Sequence, residues 1–290
     1  MSSTDPGAID TSTAPFRQFR SVRRLAPERR GQASAEHARH QLYVAVDKRT
    51  STGVLFKLTT KPGKVYEQNL ANELASLTTI NRELPESPYF PWVHDSGRLT
   101  DGRMYLITSL FDELPLATSI AGRNPGKLVA HLRTAIEVTK ALTELHGLHI
   151  VHVDLNPMNI LYRVEKDYPV VRLVDFESSY AQARHAAGVF YSPPTTPRFS
   201  APEVSSQPPD ARADVYGLGA VLYTVLVGYQ WTWDAEAAVC VEADVHLDRD
   251  LKEILGTAVA QDPARRYSSA AEFRDALAGY LEGIWPGRSW

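Results

Sequence analysis

The order of strand-like and helix-like segments is the feature that most constrains the fold of this chain. Segments rich in β-branched and aromatic residues come early, at 41–46, 53–58 and 104–110, and this composition is typical of strands. A single helical pattern, over 65–80, interrupts them, with leucines four and three residues apart. The sequence therefore predicts a small strand-rich part that ends at a seam near Phe111.

The second part of the chain has a different texture. Apolar residues repeat at helical spacing over 128–148 and again over 268–285, and each of these stretches predicts an amphipathic helix. Two short strand candidates, 159–163 and 170–176, lie between them. The longest apolar run, 215–229, is too short to span a bilayer comfortably and indicates a buried helix. Together the two parts predict an α+β fold with a larger helical part.

Composition places the chain among globular proteins. It has 290 residues, of which 43% are hydrophobic and 22% charged, enough for one large domain or two packed lobes. The formal net charge of −3 gives no case for nucleic-acid or membrane binding. A single cysteine, Cys240, excludes an internal disulfide and suits a reducing cytosol, so we expect a cytoplasmic protein.

The N-terminal residues differ from the rest. They are rich in Ser, Thr, Pro and Gly, and they lack the basic start and apolar core of a signal peptide. We predict a disordered tail over 1–16, a smaller lobe over 17–111 and a larger lobe over 112–290. A cleft between two such lobes is where a ligand is expected.

The chemistry-bearing residues cluster in one decapeptide, HVDLNPMNIL, at 152–161, which holds Asp154 and Asn159 five positions apart. With five further segments it forms an ordered set that resembles the motifs of protein kinases. These are His152-Val153-Asp154 with Asn159 (catalytic loop), Asp175-Phe176-Glu177 (Asp-Phe-Gly metal site), Thr195 to Glu203 (Gly-Thr-Pro-x-Tyr-x-Ala-Pro-Glu), Ala201-Pro202-Glu203, Asp214 with the helix it opens, and the stretch 262–273 with Arg265.

The resemblance runs from about residue 19 to residue 285. It implies a bilobal protein-kinase-like fold, with a small β-rich N-lobe and a larger α-helical C-lobe. It also implies phosphoryl transfer from ATP, with Mg²⁺, to Ser or Thr hydroxyls of a protein substrate. The stretch DPARRYSSAAEF, at 262–273, is similar to bacterial Ser/Thr kinases.

By this resemblance Asp154 accepts the proton of the attacking hydroxyl, and Asp175 and Asn159 hold magnesium ions. Carboxylate and amide oxygens are the hard ligands that magnesium prefers. Thr196 matches the threonine that bonds the catalytic aspartate near the substrate hydroxyl.

Lys57, on the strand at 53–58, is expected to reach the α- and β-phosphates. A glutamate on the next helix orients it in the family. Glu73 fits that role best, because Leu77 follows at the family's spacing, and Glu67 is the weaker candidate.

The adenine is expected against a hinge after the strand at 104–110, with Thr108 as the gatekeeper and Leu161 as the floor. The expected adenine-binding residues are Leu42, Leu55, Thr108, Ser109, Leu110, Phe111 and Leu161.

Three further residues are expected to be structural. His152 is interpreted as a hydrogen-bonded core histidine, and Asp214 as a buried carboxylate that accepts backbone N–H bonds. Arg265 stands where the family pairs an arginine with the Ala-Pro-Glu glutamate, here Glu203.

Two departures lie in the catalytic loop. Val153 replaces the arginine that clamps a phosphate on the activation segment, so we expect a segment that is ready without phosphorylation or is held by another partner. Asn156 replaces the catalytic-loop lysine, and losing one preorganised donor costs on the order of 10²–10³ in rate.

Two other departures concern the phosphate and adenine regions. No glycine-rich loop is recognisable, and a basic loop, 29–40, takes its place. Its side chains either contact phosphate or face solvent, and the sequence leaves both open. Glu177 replaces the glycine after Asp-Phe, and Leu55 replaces the small residue usually above the adenine.

These departures leave three functions open. The first is an active Ser/Thr protein kinase. The second is a pseudokinase that acts as a scaffold or an allosteric regulator of a protein partner, which the missing glycines, Val153 and Asn156 favour. The third is a small-molecule kinase, since Asp-Leu-Asn at 154–156 resembles sugar kinases of that kind. The sequence does not give the oligomeric state.

Overall fold

The computed structural model describes residues 13–25, 40–120, 127–166, 168–189, 191–193, 198–228 and 237–286. These residues form two compact units. The smaller unit draws on residues 1–74 and 91–111, and the larger on residues 75–90 and 112–290.

The smaller unit is built on one antiparallel five-stranded sheet with the order β1-β2-β3-β5-β4. Its strands are β1 (Phe19–Arg24), β2 (His40–Asp47), β3 (Gly53–Thr59), β4 (Val93–Arg98) and β5 (Met104–Ser109). The predicted strands 41–46, 53–58 and 104–110 correspond to β2, β3 and β5. Strands β1 and β4 were not predicted.

One face of this sheet carries the core of the smaller unit. Side chains from β2, β3 and β5 alternate between the two faces, and the inward set packs with Phe16 and Phe19. Phe16 is buried, and its ring lies 5.1 Å from that of Phe56. The predicted tail 1–16 is therefore wrong at its C-terminal end, because burial of Phe16 fixes the chain there. Residues 1–12 lie outside the described part.

Helix α1 (Lys64–Glu83) confirms and extends the helix predicted at 65–80. Its first half packs on the sheet through Leu70, which contacts Met104 and Leu106. From residue 75 onward it belongs to the larger unit. Residues 75–90, which the sequence analysis placed in the smaller lobe, group with the larger unit, because Ser87 and Tyr89 hydrogen-bond to helix α2 (Leu128–Gly147) of that unit.

The larger unit is mainly helical. Its other helices are α3 (Gln182–His185), α4 (Ala211–Val227), α5 (Ala237–Ala243), α6 (Arg249–Ala258) and α7 (Ala270–Ile284). Its strands are β6 (Leu114–Pro115), β7 (Ile150–Val151), β8 (Ile160–Glu165), β9 (Tyr168–Leu173) and β10 (Tyr180–Ala181), in two small sheets with the orders β6-β8-β9 and β10-β7.

Helix α2 organises this unit by packing against α4, α7 and β9. Helix α4 is buried on nearly all sides, as the apolar run at 215–229 predicted. Within the described residues, every helix is too short or too polar to cross a bilayer. The predicted fold class, a small β-rich lobe and a larger α-helical lobe, is confirmed.

Candidate active site

Strand β3 presents Lys57 on the sheet face opposite the core. The register pairs Lys57 with Leu42 of β2 and Leu106 of β5. Directly paired residues in an antiparallel sheet point to the same side, and neighbours along a strand point to opposite sides. Because Phe56 and Leu58 point into the core, Lys57 points away from it, yet it is only 9% exposed.

The partner of Lys57 is Glu73 on helix α1. The Lys57 Nζ donates to a Glu73 carboxylate oxygen at 2.7 Å, and Glu73 is 2% exposed. A buried cation and a buried anion are each costly alone, so the pair holds both side chains in one place.

The alternative partner, Glu67, is engaged elsewhere. Its carboxylate accepts from the Arg98 guanidinium at 2.7 Å and from the Gly63 N–H at 3.1 Å. The bond from Arg98 lowers the pKa of Glu67. Of the two glutamates that the sequence offered, the structure places Glu73 on Lys57 and Glu67 on Arg98.

The adenine candidates of the smaller unit lie on the same sheet face as Lys57 or just after β5. Leu55 pairs with Thr108 across β3 and β5, and Leu42 pairs with Lys57 itself. Thr108 is buried, whereas Leu42 and Leu55 are half-buried. One face of the sheet thus combines the Thr108 side chain, two apolar side chains and the cation.

The hinge residues follow Thr108. The Ser109 N–H donates to the Trp92 carbonyl at 2.9 Å, and the Leu110 N–H donates to the Gly53 carbonyl at 3.2 Å. Leu110 is 37% exposed, and Phe111 ends the smaller unit. These bonds fix the path of the chain as it leaves the sheet.

The catalytic-loop residues lie between β7 and β8. The Asn159 side-chain amide donates to the Asp154 carbonyl oxygen at 2.9 Å. This bond turns the amide nitrogen toward Asp154, so the amide oxygen of Asn159 is the atom that remains for a metal ion. The bond thus joins the predicted amide to the main chain of the predicted acid, five residues earlier.

Asn156 has a structural role in this loop. Its amide nitrogen donates to the Asp154 carbonyl at 3.2 Å, and its amide oxygen accepts from the Met158 N–H at 2.9 Å. Such a side chain holds a turn through its own backbone neighbourhood. Position 156 therefore shapes the loop, a role that the sequence comparison with a lysine did not suggest.

Asp175 follows β9 and adjoins Asn159. The Val174 N–H donates to the Asn159 carbonyl at 3.0 Å, which places the two predicted metal ligands on adjacent stretches of chain. Asp175 has a φ of 68°, a left-handed conformation that a non-glycine residue adopts at a cost of order 1–3 kcal/mol. The donor chemistry, one carboxylate and one amide oxygen, fits a magnesium ion.

Phe176 anchors the segment that carries Asp175. It is fully buried, and its ring centroid lies 4.8 Å from that of His152, in a tilted arrangement, and 6.0 Å from that of Phe90, which it meets edge to face. His152 is buried and its Nε2 lies 3.1 Å from the Val174 carbonyl. The interpretation of His152 as a hydrogen-bonded core residue is confirmed.

Asp214, near the start of α4, fixes the backbone of the loop that carries Asp154. Its carboxylate accepts from the backbone N–H groups of His152 and Val153, each at 2.8 Å, and lies 2.8 Å from His146 Nε2. The predicted structural role of Asp214 is confirmed. The contact of His146 with Asp214 was not predicted. The sequence feature that could have indicated it is the position of His146 in the last turn of helix α2.

The remaining candidates are placed as follows. Leu161 is half-buried on β8, paired with Pro115 and Arg172. Thr196 and residues 29–39 of the basic loop lie outside the described residues. His40, the last residue of that loop, opens β2, and its Nε2 lies 3.4 Å from the Tyr66 carbonyl.

The arginine that pairs with Glu203 is Arg266, so the assignment to Arg265 is wrong. Arg266 donates to both carboxylate oxygens of Glu203, at 2.7 and 2.8 Å, and its guanidinium lies 4.8 Å from the Tyr216 ring centroid. Arg265 is exposed because it ends the short 3₁₀ helix Pro263–Arg265, which turns its side chain outward.

Sequence reasoning also missed a polar cluster after Asp175-Phe176-Glu177. Ser76, Ser179 and Arg184 hydrogen-bond to one another. Ser76 and Ser179 are fully buried, at 0% exposure. Sequence analysis could not find this cluster, because the burial of a serine cannot be inferred from its neighbours in sequence.

Comparison with known proteins agrees with this geometry. A family model described as "Protein kinase domain" matches residues 41–282. The chain is 32% identical over 196 residues to "Serine/threonine-protein kinase Pkn1" of Myxococcus xanthus, covering 61% of this chain and 28% of that protein.

Two other relatives are similar. "Serine/threonine-protein kinase PknJ" of Mycobacterium tuberculosis is 35% identical over 163 residues, covering 51% of this chain and 28% of that protein. Human "Calcium/calmodulin-dependent protein kinase type 1B" is 33% identical over 171 residues, covering 58% of this chain and 47% of that protein. The alignments thus span less than half of each relative. The kinase-like motifs, the fold of each unit and the match over residues 41–282 lead to one conclusion: the chain belongs to the protein kinase domain family.

Proposed function

We propose that the chain is a Ser/Thr protein kinase that transfers the γ-phosphoryl group of ATP, with Mg²⁺, to hydroxyls of a protein substrate. The observation that carries this proposal is the buried ion pair between Lys57 and Glu73, at 2.7 Å. Phosphoryl transfer depends mainly on positioning and on electrostatic stabilisation of phosphate oxygens. Glu73 holds the Lys57 cation where it can bind the α- and β-phosphates.

Asp175 and Asn159 hold the metal in this proposal. Their oxygens are the hard ligands that Mg²⁺ takes, and the Val174–Asn159 backbone bond keeps them adjacent. When bound, the metal neutralises charge on the phosphate oxygens. Asn159 contributes its amide oxygen because its nitrogen already donates to Asp154.

Asp154 accepts the proton of the attacking hydroxyl, and Thr196 is the residue that the kinase motif assigns to the catalytic aspartate. Asn156 acts on this step through the shape of the loop, since its amide bonds to the Asp154 carbonyl and the Met158 N–H. A neutral amide at this position stabilises phosphate charge less than a lysine does, so we expect slow turnover.

The adenine lies against the hinge, where Thr108 is the gatekeeper. The supporting observation is the shared sheet face of Leu55, Thr108 and Lys57, which combines apolar surface with the phosphate-binding cation. The residues proposed to bind the adenine are Leu42, Leu55, Thr108, Ser109, Leu110, Phe111 and Leu161.

A protein substrate is favoured by the relatives, two of which are named as serine/threonine-protein kinases. Val153 carries no charge, so it cannot pair with a phosphate on the activation segment. The activity therefore does not rely on the usual arginine clamp.

Transfer of radiolabelled phosphate from ATP to the chain itself and to a generic protein substrate tests this function. We expect incorporation in the wild type and a loss of about 10²–10⁴-fold in Asp154→Asn, because the general base is removed. Asp275→Asn, on the exposed face of α7, is the matched control and keeps full activity. Equal incorporation in wild type and Asp154→Asn contradicts the proposal.

The second candidate is a pseudokinase scaffold, and the two loop bonds of Asn156 favour it because they give position 156 a purely structural use. Thermal unfolding with Mg-ATP separates the two functions. A ligand that binds only the folded state raises stability by RT ln(1 + [L]/Kd). The kinase is stabilised and Asp175→Ala is not, whereas a scaffold that binds no nucleotide shows no shift in either protein.

A further inference from the structure

The segment after Asp175-Phe176-Glu177 folds back onto the larger unit. Tyr180–Ala181 forms β10 and pairs antiparallel with β7, and helix α3 (Gln182–His185) follows at once. The Gln182 N–H donates to the His149 carbonyl at 3.2 Å. The start of the activation segment is thus ordered by backbone bonds.

Three side chains connect this segment to helix α1. The Arg184 Nη2 donates to Ser76 Oγ at 2.8 Å, Ser76 Oγ lies 2.7 Å from Ser179 Oγ, and Ser179 Oγ donates to the Phe176 carbonyl at 2.7 Å. We call this set of three residues, Arg184, Ser76 and Ser179, the serine latch.

Hydrogen-bond bookkeeping fixes the direction of the latch. A serine hydroxyl has one proton. Since Ser179 gives its proton to the Phe176 carbonyl, Ser76 must donate to Ser179, and Ser76 then accepts from Arg184. All three bonds run the same way, from a cationic donor to a carbonyl acceptor, so each polarises the next.

The latch lies in a site that makes these bonds strong. Ser76 and Ser179 are both fully buried, and Arg184 is half-buried. Burial lowers the pKa of Arg184. In such surroundings a charge-assisted hydrogen bond is about twice as strong as a neutral one, and a broken bond leaves a buried group unsatisfied.

Ser76 connects the latch to the ion pair of the smaller unit. It lies three residues after Glu73 on α1, so the two side chains are neighbours on one face of the helix. Because α1 is one continuous helix, a rotation about its axis turns Glu73 and Ser76 together. The latch therefore fixes the rotation of the helix that carries Glu73.

We propose that Arg184 is a positioning residue that holds α1, through Ser76 and Ser179, in the orientation that keeps Glu73 on Lys57. The inference rests on the proposed kinase function. In other kinases an arginine paired with a phosphorylated segment performs this positioning task, and Val153 cannot replace that arginine. In this chain we assign the task to Arg184 and the two serines, none of which needs to be modified.

The test compares Ser76→Ala and Arg184→Met with Thr79→Val in steady-state kinetics. Thr79 is the matched control, because it also carries a hydroxyl on α1, but that hydroxyl donates to the Ala75 carbonyl of the same helix. We expect kcat to fall about tenfold in both latch variants, with KM for the protein substrate unchanged, and no change in Thr79→Val. Arg184→Lys keeps charge and donor and should retain most of kcat.

Two double variants separate positioning from general stability. Ser76→Ala with Arg184→Met should cost no more than either change alone, because both break one chain of bonds. In a Glu73→Gln background Ser76→Ala should cost less than about twofold, since the carboxylate that the latch positions is gone. An undiminished tenfold loss in that background overturns the inference.

A readout independent of turnover distinguishes this inference from the proposed function. If wild type transfers no phosphate, the proposed function fails and the latch is judged by amide exchange of α1 and by thermal stabilisation with Mg-ATP. Faster exchange over residues 70–80 and weaker stabilisation in Ser76→Ala support the inference. Unchanged exchange and unchanged stabilisation, with an intact fold by circular dichroism, overturn it.

Discussion

At the residue scale, the site depends on buried polar groups whose partners come from distant parts of the sequence. Asp214 fixes two consecutive backbone N–H groups, of His152 and Val153, 62 and 61 residues away. Val153 has a φ of 71°, which is costly for a β-branched residue. The two bonds from Asp214 offset that strain and hold Asp154 next to it.

His131 is a second buried polar residue, and it makes stability depend on pH. It is 6% exposed on α2, beside Leu116 and Leu218, and burial lowers its pKa to about 4, with a smaller contribution from Lys127. Between pH 4 and the usual pKa of 6.5 the unfolded chain binds more protons than the folded one. Stability contributed by neutral His131 is therefore present above pH 6.5 and is lost as the pH falls toward 4.

The expected loss from His131 is about 2–3 kcal/mol in the free energy of unfolding between pH 7 and pH 4. Urea unfolding of wild type and His131→Gln at several pH values measures it, because other titrating groups cancel in the difference between the two proteins. Parallel pH profiles in the two proteins contradict the prediction.

At the element scale, two glycines let helix α4 approach its neighbours more closely than residues with a Cβ would allow. A Cβ on Gly219 would lie 2.8 Å from the Ala258 Cβ and 3.0 Å from Val259 Cγ1. A Cβ on Gly217 would lie 3.0 Å from the Leu155 Cβ, within the catalytic loop. The two glycines let α4 support both that loop and the end of α6.

Gly219→Ala should therefore destabilise the protein by about 1–3 kcal/mol, because the overpacked contacts outweigh the helix propensity of alanine. Gly256→Ala, in α6, is the matched control. A Cβ there meets nothing within 4 Å, so it should stabilise by about 0.5–1 kcal/mol. Chemical denaturation measures both, and effects of the same sign in the two variants would show that packing is not the cause.

The elements also show what sequence patterns can and cannot reveal. Helices α1, α2 and α7 were predicted because apolar side chains repeat at helical spacing, α4 because it is a continuous apolar run, and strands β2, β3 and β5 because they are rich in β-branched and aromatic residues. Strand β1 was missed because it is an edge strand in which four of the six residues, three arginines and a serine, are exposed, and it is held by backbone bonds to β2. An edge strand needs no apolar pattern of its own.

At the whole-molecule scale, the larger unit is tied together by Arg266. Its side chain is fully buried, and besides Glu203 it donates to the carbonyls of Ala260, Gln261 and Arg212. One guanidinium thus joins the end of the activation segment, helix α4 and the loop after α6. The sequence motif indicated that such a pair exists, but a one-residue choice between Arg265 and Arg266 depends on the turn before it, which only the tertiary structure defines.

Arg266→Met should lower the free energy of unfolding by about 3–5 kcal/mol, because Glu203 is left buried without its cation. Arg265→Met should change it by less than about 0.5 kcal/mol, as expected for an exposed side chain. Thermal and urea unfolding of both variants measure the contrast. Similar losses in the two variants would contradict the pairing.

The burial of Ser76 and Ser179 has a consequence for any cell that makes this protein. Neither hydroxyl is accessible to a modifying enzyme while α1 and the segment after Phe176 stay together. Ser179 would therefore be phosphorylated only in molecules in which these two segments have separated, and the phosphate would prevent them from packing together again. Mass spectrometry of the protein isolated from cells would then measure the fraction of molecules that carry this phosphate, which is the fraction in which the two segments have separated.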